Sequence, residues 1–176
     1  MNLFDLENEV AVVIGGAAVL GDAMGRALRK ARVGFAVLGH HAGLGAARAA
    51  AIKKEGGIAA SFPVDAVDLD SLSAAHRRVE KQFGESTTLV KAAGDNDVNA
   101  TVTPELRVDR IRLNKRQKSF GLNFVVGTVL SRQECSAAIA CRGRGSIINI
   151  ASVAARLPLW QFSSKILGII AVGYVV

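Results

Sequence analysis

A chain of 176 residues with 50% apolar content has enough material for one packed core and too much hydrophobicity for intrinsic disorder. Eighteen glycines against three prolines, in a sequence rich in Ala, Val, Leu and Ile, favour helices packed closely on a sheet over an all-β sandwich. The formal charge of +7, from 22 Lys and Arg against 15 Asp and Glu, favours anionic ligands without choosing among phosphate, an anionic substrate and nucleic acid.

The first nine residues carry Asp5, Glu7 and Glu9 and no apolar core, which argues against a secretory signal and for a cytoplasmic location. Residues 10–14, Val-Ala-Val-Val-Ile, end at Gly15-Gly16 and predict a buried parallel strand feeding a turn. A helix is expected over 20–32, with Arg26, Arg29, Lys30 and Arg32 gathered where a helix dipole favours cations, and Gly34 breaking it. The pattern repeats: a strand over 35–38, a helix over 44–55 stopped by Gly56-Gly57, a strand over 58–64, a helix over 69–83 stopped by Gly84, and a strand over 87–90. His76 is expected on a solvated face of that third helix. Residues 105–141 read as one long helix or two consecutive ones, basic in the first half and apolar in the second, and 146–150 as a fifth strand.

Such alternation predicts an α/β, Rossmann-type doubly wound parallel sheet with helices on both faces. With no linker, repeat or low-complexity tract, residues 1–176 are expected to form a single domain. Residues 166–176 are apolar or Gly apart from the Tyr174 hydroxyl; they fall short of the roughly 20 residues of a membrane span and read as a buried helix or strand left incomplete. Cys135 and Cys141 would point about 240° apart on a helix, so neither a disulfide nor a metal site is expected, only two buried thiols. The run Arg107, Arg110, Arg112, Lys115, Arg116, Lys118 puts six cations in twelve positions. With Phe120 as its close aromatic it lacks a stacking platform, and no nucleic acid partner is expected.

The loop Gly15-Gly16-Ala17-Ala18-Val19-Leu20-Gly21 lies between a strand and a helix, where small residues let the backbone approach a phosphate and free N–H groups at the helix start attract its charge. Together, Gly15-x-x-x-Val19-Leu20-Gly21, Asp65, Ala92-Ala93-Gly94, Asn123 and Ser152 resemble the short-chain dehydrogenase/reductases. The surroundings look most like the D-mannonate oxidoreductase (fructuronate reductase) branch: Asp22-Ala23-Met24, Val37-Leu38-Gly39, Asp95-Asn96-Asp97 and Ala100-Thr101-Val102-Thr103.

The resemblance implies that Gly15, Gly16, Leu20 and Gly21 line a pyrophosphate, that Asp65 with Ala66 meets the adenine, and that Ala92, Ala93 and Gly94 flank the adenine ribose. A structural alternative for Asp65 is a cap of the third helix. Gly39-His40-His41 stands where a carboxylate would select NAD by bonding its ribose 2′-OH; His40 in that place makes NADP the expected cofactor, with NAD as the alternative. The implied substrate is a small carbonyl compound or sugar acid, the implied assembly a homo-oligomer, and the chain is expected to cover only the N-terminal part of the family fold.

The implied catalytic set is Asn123 anchoring a relay water, Ser152 orienting the carbonyl, and Lys165, which also holds the nicotinamide ribose. One member is missing. The family's Y-x-x-x-K tyrosine comes thirteen residues after the serine, a position occupied here by Lys165; four residues before Lys165 stands Gln161, and three before it Phe162. The sole tyrosine is Tyr174. Ile14 and Lys91 also depart from the family pattern, which usually has Thr and Asn there. The expectation is therefore divided between an NAD(P)-dependent reductase and a dinucleotide-binding chain without its general acid.

Overall fold

The computed structural model describes residues 6–94 and 97–151. Five parallel strands, β1 (Val10–Ile14), β2 (Gly34–Gly39), β3 (Ile58–Pro63), β4 (Thr88–Lys91) and β5 (Ser146–Asn149), form one sheet in the order β3-β2-β1-β4-β5. Helices α1 (Val19–Lys30), α2 (Ala42–Lys54) and α3 (Leu69–Phe83) connect the first four strands. The predicted α/β, Rossmann-type sheet with helices on both faces is what the chain forms.

Period-two alternation sorts the side chains onto two faces. Val10, Val12, Ile14, Ala36, Leu38, Ala60 and Phe62 pack with Leu72, Ala75 and Val79 of α3. Their neighbours Ala11, Val13, Phe35, Val37 and Ala59 pack with Ala49 and Ile52 of α2, and with Met24 and Leu28 of α1 at the edge of that cluster. The central strand β1 is thus buried along its whole length, which is why its sequence shows an unbroken apolar run rather than an alternating one.

The largest departure from expectation lies between β4 and β5. Residues 105–112 are not α-helical; two short 3₁₀ turns, Val98–Ala100 and Val108–Arg110, precede α4 (Leu113–Phe120). The Thr103 hydroxyl accepts from the N–H groups of Glu105 (3.2 Å) and Leu106 (3.0 Å), a local turn that competes with helix start. Beyond α4 the chain continues as a π-helical stretch, Gly121–Leu130, and then α5 (Ser131–Cys141).

Three smaller corrections follow from packing. Helix α1 stops at Lys30, because Arg32 takes φ 63° and turns the chain into β2. His76 is buried, not solvated, with Nε2 3.1 Å from the Ser86 hydroxyl, since it shares the Leu72, Ala75, Val79 stripe of α3. Cys141 is exposed, not buried, at the end of α5; the side chain of Cys135, and residues 166–176, lie outside what is described.

Candidate nucleotide site

The crevice lies beyond the carboxyl ends of the strands, at the point where strand order reverses between β1 and β4 and successive helices turn to opposite faces. Open α/β sheets bind ligands at this position. At the end of β1, Gly15 adopts φ +82°, and its N–H donates to the Leu38 carbonyl at 2.8 Å. A Cβ on Gly15 would lie 2.7 Å from the Ala93 nitrogen and 2.9 Å from the Ala92 carbonyl carbon, so only glycine lets this turn sit against the end of β4. Gly21 plays the matching part from the helix: a Cβ there would come within 2.5 Å of the Gly16 Cα. The first turn of α1 is therefore pressed onto the loop.

That packing leaves α1 open at its start. Ala18, at the N-cap, offers no side-chain hydrogen bond, so the first N–H groups of the helix and its positive dipole end remain for an anion. Val19 is 81% exposed and Leu20, expected at the pyrophosphate, 57%, and together they form an apolar lip at the helix start. Asp22, in the same first turn, is held away from the loop by Arg26 (3.2 Å) and by Arg48 of α2 (3.3 Å).

The remaining predicted residues fall around this opening. His40 and His41 are exposed after β2, their rings 3.8 Å apart. Asp65 is exposed after β3; its carboxylate accepts from the Val67 N–H at 3.0 Å and does not cap α3. Asp68 does, accepting from Asp70 N–H at 3.0 Å. Ala66 is half-buried against the core. Ala92 and Ala93 follow β4, the Ala92 N–H bonding the Ile14 carbonyl at 2.9 Å, a backbone tie between the two loops. Asn123, in the π-helical stretch, brings its Oδ1 to 2.9 Å from where a Gly94 Cβ would stand. Adenine-side and catalytic candidates thus converge from segments 29 residues apart in sequence. Lys91 is buried, 3% exposed, and partnered, level with Ile14 and Asn149 in the sheet. Ser152 and Lys165 lie outside the described residues.

A glycine cradle and an uncapped helix start suit a dinucleotide's pyrophosphate. The fold and crevice define a doubly wound, Rossmann-like protein, and comparison with known proteins places it further: residues 9–164 match the short chain dehydrogenase family, and the chain belongs to that family. An uncharacterized oxidoreductase of Haemophilus influenzae is 25% identical over 166 residues, covering 88% of this chain and 58% of the relative. D-threitol dehydrogenase of Mycolicibacterium smegmatis is 30% identical over 158 residues, covering 90% and 58%. Among solved structures, a Haemophilus influenza protein assigned as a D-mannonate oxidoreductase, with bound NAD, superposes with TM-score 0.85 at 23% identity, covering 92% of this chain and 61% of that one. The chain spans a little under three fifths of the length of these curated relatives.

Proposed function

We propose that the chain holds a nicotinamide dinucleotide, NADP in preference to NAD, in this crevice, as part of an oxidoreductase acting on a carbonyl of a small substrate, with D-mannonate/fructuronate as the substrate pair. The observation that carries the reading is the β1–α1 turn: left-handed Gly15, close-packed Gly21 and an uncapped helix start together form a cradle for a pyrophosphate. On this reading Gly15, Gly16, Leu20 and Gly21 hold the pyrophosphate, Asp65 and Ala66 the adenine, and Ala92, Ala93 and Gly94 the adenine ribose. His40 faces the 2′ position, where the absence of a carboxylate in Gly39-His40-His41 supports NADP; the NAD bound to the Haemophilus protein supports the alternative. When bound, the dinucleotide supplies the hydride. Asn123 anchors a water, Ser152 orients the carbonyl and Lys165 holds the nicotinamide ribose. A single domain, a homo-oligomer and a cytoplasmic location complete the proposal; among the described residues, no helix is long and apolar enough to cross a membrane.

One observation favours a second reading, in which the dinucleotide binds but hydride transfer is crippled. Gln161 and Phe162 stand where a phenol is needed before Lys165, and a positioned general acid is worth about 10²–10⁴-fold in rate. Fluorescence titration with NADPH and NADH, beside a fructuronate reduction assay, separates the readings: binding without turnover supports the second, brisk turnover sinks it, and no binding of either nucleotide sinks both. Installing the phenol by Gln161→Tyr is expected to raise the rate by about 10²-fold or more while leaving NADPH affinity unchanged.

A further inference from the structure

Outside the nucleotide crevice, the strongest unassigned feature is a cavity of about 400 Å³ lined by Asn99, Leu106, Arg110, Arg112 and Lys115. It lies where the turn at 98–100 meets the start of α4. Three of its five lining residues are cations, drawn from a segment that sets six cations against the single acid Asp109. Asp109 pairs most closely with Arg107, at 3.1 Å, and more loosely with the lining Arg110, at 3.8 Å. Among the described residues, Arg112 and Lys115 form no ion pair within 4 Å. Asp97 accepts from the backbone and side-chain nitrogens of Asn99, both at 2.9 Å, and its charge acts at longer range on Lys115 and Lys118; Glu105 accepts from the Thr103 hydroxyl at 2.9 Å. The six cations of the segment still outnumber these acids. The Arg112 N-cap supplies no side-chain cap, so the start of α4 adds a positive dipole end to the same space.

We propose that this cavity binds a small-molecule oxyanion, a carboxylate or a phosphate, through Arg110, Arg112 and Lys115. Helix α4 runs without a break into the stretch carrying Asn123, eight residues beyond Lys115 and so about 12 Å along the axis. Resting on the function proposed above, the oxyanion is the acidic end of a substrate whose carbonyl lies toward Asn123. A free phosphate offers the same chemistry, and the two sources are distinguished below. Like-signed side chains held around one cavity repel each other, and an anion relieves that repulsion while accepting charge-assisted hydrogen bonds from guanidinium and ammonium groups.

The test is calorimetric titration of the full chain with inorganic phosphate and, separately, with D-gluconate as a sugar-acid carboxylate, ionic strength being held constant with chloride. Saturable binding of either anion is expected, weakened about tenfold or more in the Arg112→Gln/Lys115→Gln double variant. It should be retained in Arg112→Lys/Lys115→Arg, which keeps the charge and controls for folding. Binding of gluconate identifies the acidic end of a substrate; binding of phosphate alone identifies a phosphate ligand, and each supports the site. Absence of saturable binding, or equal binding by the double glutamine variant, overturns it. A single-stranded dodecanucleotide binding more than tenfold tighter than phosphate also overturns it, in favour of a nucleic-acid surface. NADPH affinity, read on the same proteins, is expected to be unchanged in every variant, so failure of the dinucleotide reading shows itself independently.

Discussion

Gly15 concentrates the requirements of the crevice in one residue. Its φ of +82° and the backbone atoms at 2.7 and 2.9 Å leave a side chain neither a comfortable conformation nor space, and the obstructing atoms are backbone that cannot swing aside. Gly15→Ala is expected to cost about 2–4 kcal/mol, combining left-handed strain with overpacking, and urea denaturation measures it. The residue was legible in the sequence because a glycine pair after an apolar strand has few other uses. His76 shows the opposite. Followed by Arg77 and Arg78, it resembled a surface residue, yet it is 7% exposed and bonded to a fully buried Ser86. His76→Ala leaves that hydroxyl unpaired beside a void and is expected to lower stability by about 1–3 kcal/mol in the same assay. The spacing Leu72, Ala75, His76, Val79 held the clue, but the neighbouring charges outweighed it.

Helix limits depend on which local hydrogen bonds win. For α3 two aspartates competed as cap: Asp68 bonds the Asp70 N–H, while Asp65 closes a turn on Val67. Asp68→Ala is expected to destabilise the protein by about 1 kcal/mol in thermal or urea denaturation. Asp65→Ala, at an exposed turn, should cost less, and equal losses would contradict the assignment. In the segment leading to α4, the Thr103 hydroxyl accepts from the Glu105 and Leu106 N–H groups as a helix cap does, but the Thr103 N–H donates forward to the Leu106 carbonyl at 3.1 Å, so the chain closes a turn and no α-helix follows. Composition there favours helix, so the delayed start at Leu113 was not legible. Nor was the π-helical stretch, since its apolar residues would suit an α-helix equally well. It matters to the site because it carries Asn123, whose Oδ1 lies against Gly94.

Across the whole molecule, the two ends of the sheet do different work. The carboxyl end carries the crevice, and the amino end is tied by Glu9, which meets Arg142 in a two-pronged pair at 2.9 and 3.1 Å and Arg144 at 3.3 Å. Burial pushes the Glu9 carboxyl up, but the Thr87 hydroxyl and the two guanidinium groups outweigh it and hold the group below its ordinary value. A carboxyl with a lowered folded pKa contributes stability that is present above the unfolded value, about 4.3, and disappears as pH falls through the folded value. Glu9→Gln is accordingly expected to lower Tm at pH 7 by several degrees, from a loss of about 1–2 kcal/mol. Melting curves at successive pH values should show the gap closing below about pH 4.3 as wild-type Glu9 protonates; a constant gap down to pH 2 would contradict the pairing.

The alternation of strands and helices, the glycine turn after β1 and the family to which it belongs were determined by the sequence itself, because each is carried by short motifs, or by their order along the chain, and needs no contact between distant residues. The same holds for the missing phenol before Lys165. Tertiary structure alone decided the strand order, the burial of His76, the contact of Gly94 with Asn123, the clamp on Glu9 and the gathering of Arg110, Arg112 and Lys115 around a cavity. Local preference cannot reach these features: Glu9 and Arg142 are 133 residues apart, and only packing of the whole sheet and its helices brings such partners within bonding distance.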